Sequence, residues 1–112
     1  KIYLNRFKNI FQDEKNKKII IVGSGIWFES YMKSFGKEYV PYLLVETNEK
    51  YWDAKKFQYK IERPNEILKI DSKDRHIIIC DKMFHKCEEK LQTLGINNYY
   101  IYVYELKWLL RN

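Results

Sequence analysis

The sequence predicts an α/β fold in three layers, in which helices cover both faces of a mostly parallel sheet of about five strands. Two observations predict it. The segments Lys18–Val22 and 76–80 carry unbroken runs of branched apolar residues, as strands buried on both faces do. Each is followed, after a short turn, by a segment whose apolar residues recur with helical spacing. This alternation favours parallel pairing, because a parallel strand pair needs a crossover connection.

The first half of the chain contains two strands and the helix between them. Residues 1–16 are predicted to form an N-terminal helix and a linker, because apolar side chains share one helical face there. Lys18–Val22 is the first strand. A helix over 27–35 follows and stops at Gly36, a residue suited to helix C termini. A second strand is predicted over 42–46.

Short elements are predicted between the second strand and the next long apolar run. A short helix fits 49–54, and 57–61 fits a short strand at the edge of the sheet that ends before Pro64. Asn65 is expected to cap a single helical turn that extends through Leu68.

The C-terminal half repeats the pattern of strand and helix. Residues 76–80 form the fourth predicted strand, and a helix over 83–94 places its apolar side chains in one stripe. A last strand spans 99–103, and a C-terminal helix occupies 104–112. We therefore expect the whole chain to be one domain, with its α/β core at 17–103.

Right-handed crossovers restrict the order of the predicted strands. Numbered along the chain, the five strands are expected to lie in the order 3-2-1-4-5, which is half of a doubly wound sheet. In such a sheet the connections leave the first strand toward opposite sides. Ligands then bind in the crevice at the carboxyl ends of the strands.

The charge and composition exclude several classes of function. The chain carries 21 Lys and Arg residues against 15 Asp and Glu residues, a net charge of +6, and the excess is mostly lysine interleaved with acids. This pattern favours a solvated surface over a nucleic-acid site, which usually clusters its bases and uses more arginine. No apolar run is long enough to span a bilayer, and two cysteines do not make a disulfide framework. We therefore expect a cytoplasmic protein.

The strongest candidate site is the glycine turn, formed by Gly23, Ser24 and Gly25, which follows the first strand and opens a helix. Gly23 permits a tight turn, and the missing side chain of Gly25 lets a phosphate approach the helix N terminus. Glu46 lies 21 residues beyond Gly25, at the end of the second strand, where a carboxylate accepts hydrogen bonds from ribose hydroxyls. With Ile26, these residues form the predicted cofactor-binding set. The Glu46 carboxylate predicts that NAD binds in preference to NADP.

The motif is incomplete, because Phe28 occupies the position of the third glycine in G-x-G-x-x-G. That glycine normally lets the helix pack closely on the sheet, so a phenyl ring implies a displaced helix or a ring turned aside. Two interpretations stay open: the turn binds a nucleotide, or it keeps its shape without a ligand.

Asp81 and Lys82 follow the fourth predicted strand, which the strand order places beside the first. Asp81 is therefore a further candidate for cofactor binding, although the N-cap of the next helix is its preferred interpretation. Lys82 reaches either a phosphate or water.

No set of residues in the sequence predicts catalysis or a metal site. Cys80, His85 and Cys87 are close along the chain. His85 and Cys87 point to different faces of the predicted helix, which favours core thiols and a surface imidazole. Tyr51 and Lys55 match a Tyr-x-x-x-Lys pair, yet no suitably placed serine accompanies them.

Several segments resemble one small bacterial domain. They are KIIIVGSG at 18–25, LLVETN at 43–48, RPNEIL at 63–68, HIIIC at 76–80 and LGINNYYI at 94–101. Together they resemble the Rossmann-like, CoA-binding-like domain attached to bacterial polysaccharide-biosynthesis proteins, beside sugar acyltransferases, nucleotide-sugar dehydratases, methyltransferases and LicD-type transferases. The resemblance implies a Rossmann-like half fold, similar to NAD(P)-binding domains, that binds a nucleotide or nucleotide-sugar in surface-glycan assembly. It implies that Gly23, Ser24, Gly25 and Glu46 form the ligand edge.

The sequence leaves three functions open. The first is a non-catalytic module that binds NAD or a nucleotide-sugar, and the second is a cofactor-binding fragment of a sugar dehydratase or oxidoreductase. The third is an empty-crevice domain for dimerisation or docking. The tyrosine-rich run over 99–104 and the apolar segment near Trp108 favour a homodimer or a neighbouring transferase domain as the partner in that case.

Overall fold

The computed structural model describes the backbone of residues 2–5 and all of residues 16–103. Its strands are β1 (Ile2–Asn5), β2 (Lys18–Val22), β3 (Leu43–Val45), β4 (Lys55–Lys56), β5 (Tyr59–Glu62), β6 (Arg75–Ile79) and β7 (Tyr100–Val103). They form one sheet in the order β1-β7-β6-β2-β3-β5-β4. Every neighbouring pair from β1 to β5 in that order is parallel, and β4 is antiparallel to β5.

The strand order differs from the predicted one at the two edges of the sheet. The strands that the sequence predicts are adjacent, as β5-β3-β2-β6-β7, but β1 adds a strand beyond β7 and β4 adds one beyond β5. The sheet is therefore mixed, with one antiparallel pair at its edge. The broader prediction of an α/β fold with a mostly parallel sheet is confirmed.

β1 replaces part of the N-terminal helix predicted for residues 1–16, so that prediction is wrong at its start. The backbone of Ile2–Asn5 pairs with β7 in parallel, with Ile2 opposite Tyr100. A short apolar stretch fits helical and strand spacing about equally well, and pairing with a distant strand decides between them. The rest of that segment and the predicted helix over 104–112 lie outside the described residues.

Two helices, α1 (Ile26–Ser34) and α2 (Phe84–Thr93), begin and end close to the predicted positions. α1 connects β2 to β3 and α2 connects β6 to β7, so the two connections run in opposite directions across the sheet. Right-handed crossovers therefore put the two helices on opposite faces. The result is three layers, with the sheet in the middle.

Aromatic contacts fix α1 on its face of the sheet. Trp27, Phe28 and Tyr31 are its buried residues. The Tyr31 ring packs edge-on against Tyr102 of β7, with 6.0 Å between the ring centroids, and its hydroxyl donates a hydrogen bond to the Tyr39 carbonyl. Burial raises the pKa of the Tyr31 phenol far above its usual range, which keeps this donor protonated. These contacts hold α1 with its N terminus at the glycine turn.

The connection from β3 to β6 consists of short turns. Where a helix is predicted over 49–54, the structure has a single 3-10 turn at Glu49–Tyr51. The turn at Pro64–Lys69 has Arg63 as its N-cap residue, so the prediction of Asn65 as the cap is wrong. Proline is favoured at the first helical position, because its fixed φ suits a helix and its missing N–H is not needed there. The turn therefore begins two residues earlier than predicted.

β4 and β5 form a hairpin whose two-residue loop is Phe57 and Gln58. Both residues have positive φ, 48° and 72°, as tight hairpin turns of this kind require. Neither is glycine, so the loop carries backbone strain. The Phe57 ring packs on Phe28 of α1 with 5.8 Å between centroids, a contact that helps to offset the strain. The edge strand predicted over 57–61 corresponds to β5, which lies between β3 and β4 and not at the edge of the sheet.

The core consists of the apolar strand residues and the sheet-facing sides of α1 and α2. No helix within the described ranges is long and apolar enough to cross a membrane. At the carboxyl ends of β2, β3 and β6 the apolar runs give way to polar residues. This edge carries the candidate site.

Candidate functional site

The carboxyl ends of three adjacent parallel strands, β3, β2 and β6, form the candidate site. β2 leads into the glycine turn, β3 into Glu46, and β6 into Cys80 and Asp81. The connections leave this edge toward opposite faces, and a crevice opens where they diverge. The structure thus brings the glycine turn, Glu46 and Asp81 to one place.

The two glycines of the turn differ in what surrounds them. Gly23 has φ +113°, and its N–H donates to the Val45 carbonyl at 2.9 Å. A Cβ at Gly23 would lie 2.5 Å from the Cys80 carbonyl oxygen, so the crowding of neighbouring strands requires glycine there. A Cβ at Gly25 would meet nothing within 4 Å. Space for an approaching ligand therefore exists at Gly25, and the packing of the chain does not need a glycine at that position.

Glu46 is bound to the glycine turn. Its Oε1 accepts hydrogen bonds from the Ser24 N–H at 3.1 Å and from the Ser24 hydroxyl at 2.8 Å. Its own carbonyl accepts the indole N–H of Trp52 at 2.7 Å, and the residue is only 5% exposed. The donors of Ser24, which a phosphate oxygen would use, are thus occupied by a carboxylate of the same chain.

The second carboxylate oxygen of Glu46 is less occupied. Oε2 accepts the N–H of Asn48 at 3.3 Å, which is a long hydrogen bond. A carboxylate oxygen has two lone pairs, so Oε2 keeps the capacity to accept a further hydrogen bond. One side of Glu46 therefore closes the glycine turn, and the other side retains acceptor capacity.

Asp81 organises the start of α2 without being its N-cap residue. Met83 is the N-cap residue, and the N–H of Met83 donates to Asp81 Oδ1 at 2.9 Å. The preferred interpretation of Asp81 as the cap is thus wrong by two residues, because the carboxylate bonds an N–H before the helix begins. Burial raises the pKa of Asp81, and the nearby Glu46 carboxylate raises it further, although the Met83 hydrogen bond and Lys82 act in the opposite direction.

The two thiols are core residues. Cys80 and Cys87 are both buried and reduced. Burial raises the pKa of each thiol, and the Asp81 carboxylate raises that of Cys87 further. A neutral buried thiol is a weak nucleophile and a poor metal ligand. His85 is exposed on α2, with Nδ1 3.1 Å from Glu88 Oε1, and no group of three metal-ligating side chains occurs within the described part of the chain.

A groove of about 670 Å³ lies between the segment that follows β3 and one side of α2. We call it the α2 groove. Its walls include both predicted acids, Glu46 and Asp81, together with several residues that the sequence did not single out. The full lining is Glu46, Thr47, Asn48, Tyr51, Asp81, Met83, Lys86, Glu89, Lys90 and Thr93.

Three residues that line the α2 groove were not predicted from the sequence as ligand-binding residues. Tyr51 was noted only as part of an out-of-place pair with Lys55; in the structure it lines the groove with 42% of its surface exposed, whereas Lys55 lies in β4. Lys86 and Lys90 are four residues apart and share one side of α2. Their spacing is visible in the sequence, but the groove beside them is not. Lys82, for which the sequence left a phosphate or water as the partner, is exposed outside this lining.

Phe28 and Ile26 occupy different environments at the start of α1. Phe28 is fully buried, and its ring also packs edge-on against Tyr59 at 6.4 Å. The ring is accommodated by the β4–β5 hairpin, which explains how the helix tolerates a large residue where dinucleotide motifs carry glycine. Ile26 is 67% exposed and lines a second groove, of about 690 Å³, together with Phe57.

Comparisons with known proteins identify no relative. No protein-family model matches the chain, and neither a curated protein nor a solved structure matches it.

Proposed function

We propose that this domain is a binding module for a nucleotide or a nucleotide-sugar, and that the ligand lies in the α2 groove at the carboxyl edge of the sheet. One observation carries the proposal. The lining of that groove combines a carboxylate with spare acceptor capacity, Glu46, with two lysine side chains, those of Lys86 and Lys90. A ligand with hydroxyl groups at one end and phosphate at the other complements this distribution of charge.

The size and shape of the groove support a ligand of this class. Small-molecule sites usually enclose about 300–1,000 Å³, and the α2 groove falls within that range at about 670 Å³. The exposed ring of Tyr51 offers an apolar surface on which a base can stack. Lys50 lies 5.0 Å from the centroid of the same ring, which adds a third positive charge near the groove.

The position of the groove agrees with a Rossmann-like interpretation of the sheet. Binding at the point where connections diverge from parallel strands is the general behaviour of such folds. The glycine turn between β2 and α1, with an acid at the end of the neighbouring strand, is the arrangement expected of a Rossmann-like half fold. In this interpretation the role of Glu46 toward the ligand is to accept a sugar hydroxyl through Oε2.

The buried carboxylate also bears on the choice of cofactor. A phosphate ester on the sugar would lie against Glu46, and like charges at short range in a poorly solvated site repel strongly. We therefore propose that NAD binds more tightly than NADP, if a dinucleotide is the ligand. The resemblance to domains of bacterial polysaccharide-biosynthesis proteins makes nucleotide-sugars the first ligands to test.

A calorimetric screen with NAD, NADP, CoA, UDP-glucose and CDP-choline tests the proposal. We expect at least one of them to bind, and Tyr51→Ala to weaken that binding about tenfold, because stacking of a base on an aromatic ring is worth about 1–3 kcal/mol. Tyr42→Ala is the matched control, because Tyr42 is also exposed but precedes β3, at the opposite end of the strand. Absence of binding by all five ligands, or equal losses in the two variants, would contradict the proposal.

A second candidate function is docking of a protein partner. Ile26 and Phe57 are 67% and 52% exposed, and they line the second groove next to α1. Neighbouring exposed apolar side chains are typical of interaction surfaces. If this surface joins two copies of the chain, sedimentation shows a dimer that Phe57→Ser dissociates. A monomer at all accessible concentrations excludes that form of docking.

A further inference from the structure

We infer that Lys86 and Lys90 hold the diphosphate of the bound ligand, so that the phosphate subsite runs along α2 and not over the glycine turn. This inference rests on the proposed function, since it specifies where in the α2 groove the charged part of the ligand lies. It also narrows the ligand class to nucleoside diphosphates and their sugar esters.

The spacing of the two lysines fits adjacent phosphates. Side chains four residues apart on a helix have Cβ atoms about 5–6 Å apart and lie on the same side. The buried side of α2 carries Phe84, Cys87 and Leu91, so Lys86 and Lys90 lie beside it at the rim of the groove. Two flexible ammonium groups at this separation can each contact one group of a diphosphate.

In the part of the chain that the structure describes, Lys86 and Lys90 lack the ion pairs that some other lysines form. Lys56 forms an ion pair with Glu29, and Lys69 forms one with Glu66. Within the described part of the chain, neither Lys86 nor Lys90 has a carboxylate within 4.0 Å. Their charges and hydrogen-bond donors are therefore available to an anion in the groove.

The glycine turn offers a phosphate much less. The N–H and hydroxyl of Ser24 already donate to Glu46 Oε1. A phosphate that took their place would displace a buried carboxylate, or lie beside it and be repelled. The same carboxylate that closes the turn thus disfavours a phosphate there, and Lys86 and Lys90 are the cationic side chains in the groove lining.

Calorimetric titration with UDP, ADP, uridine and adenosine tests this inference. The variant is Lys86→Gln with Lys90→Gln, and the control is Lys33→Gln with Lys37→Gln, which removes the same charge from exposed lysines outside the α2 groove. We expect the groove variant to weaken diphosphate binding about tenfold or more, as loss of charge-assisted hydrogen bonds does, and to leave nucleoside binding unchanged. The control should stay within about twofold of the unaltered protein, because distant exposed charges are screened.

The outcomes separate this inference from the proposed function. If UDP or ADP binds the unaltered protein and the groove variant equally well, the phosphate subsite is wrong and the binding module stands. Equal weakening in both double variants also contradicts the subsite, because the loss of net charge alone then explains the weaker binding. If neither diphosphate binds the unaltered protein, the subsite is contradicted, and the screen of five ligands decides separately whether the binding module stands.

Discussion

The glycine turn and the α2 groove lie on two sides of Glu46 and differ in how their polar groups are satisfied. In the turn, both donors of Ser24 bond to Glu46 Oε1. In the groove, Glu46 Oε2 retains acceptor capacity, and Lys86 and Lys90 have no ion-pair partner among the described residues. The glycine turn, which is the clearest motif in the sequence, thus has its donors bonded within the chain. The α2 groove, which no motif indicates, retains polar groups that can bind a ligand.

The largest expected effect concerns the turn, because the structure of the chain depends on it. Gly23→Ala should lower the free energy of unfolding by about 3 kcal/mol or more, since positive φ is strained for alanine and its Cβ would overlap the Cys80 carbonyl. Gly25→Ala should change it by less than about 0.5 kcal/mol, because its Cβ would enter open space. Urea denaturation of the two variants measures the difference. Equal destabilisation would show that Gly25 is also needed by the fold.

A smaller effect is expected from Asp81, which lines the groove. Its pKa is raised above the ordinary value of 3.8, first by burial and then by Glu46. Below pH 3.8 Asp81 is protonated in both the folded and the unfolded state, and it does not change the free energy of unfolding. As the pH rises from 3.8 through the raised folded-state pKa, the unfolded state ionises first, and the free energy of unfolding falls. Asp81→Asn should remove this decline in stability, because asparagine keeps an acceptor for the Met83 N–H without a charge to bury.

Denaturant unfolding over a series of pH values measures the effect of Asp81→Asn. The exposed Asp71 provides the control variant, Asp71→Asn, which should leave the pH dependence close to that of the unaltered protein. A variant at Asp81 that loses stability at neutral pH would show that its ionised form is favoured in the fold, contrary to the expected sign.

Local patterns predicted the middle of the fold well. β2 has the predicted bounds because the run of branched apolar residues in Lys18–Val22 is unbroken and ends at a glycine. α2 lies within the predicted bounds because its apolar residues recur with helical spacing. β1 was predicted as a helix because a few apolar residues fit either spacing, and only pairing with β7, almost one hundred residues away, distinguishes them.

The sequence predicted several residues of the candidate site, but not which of them contact one another. Ser24 and Glu46 were both predicted as ligand-binding residues, yet nothing local indicates that they bond to each other across two strands. Phe28 was expected either to displace α1 or to have its ring turned aside, and in the structure the ring is buried against Phe57 of the hairpin loop. The groove depends on the angle between α2 and the segment after β3, which no short motif encodes.

The most direct test of the difference between turn and groove is an amide NMR titration with UDP-glucose. We predict that the largest chemical-shift changes occur at the backbone amides of Asn48, Tyr51, Lys86 and Lys90, with the Ser24 amide nearly unchanged because it stays bonded to Glu46. The largest changes at Ser24, Gly25 and Ile26 would contradict this prediction and show that the glycine turn opens to bind the phosphate.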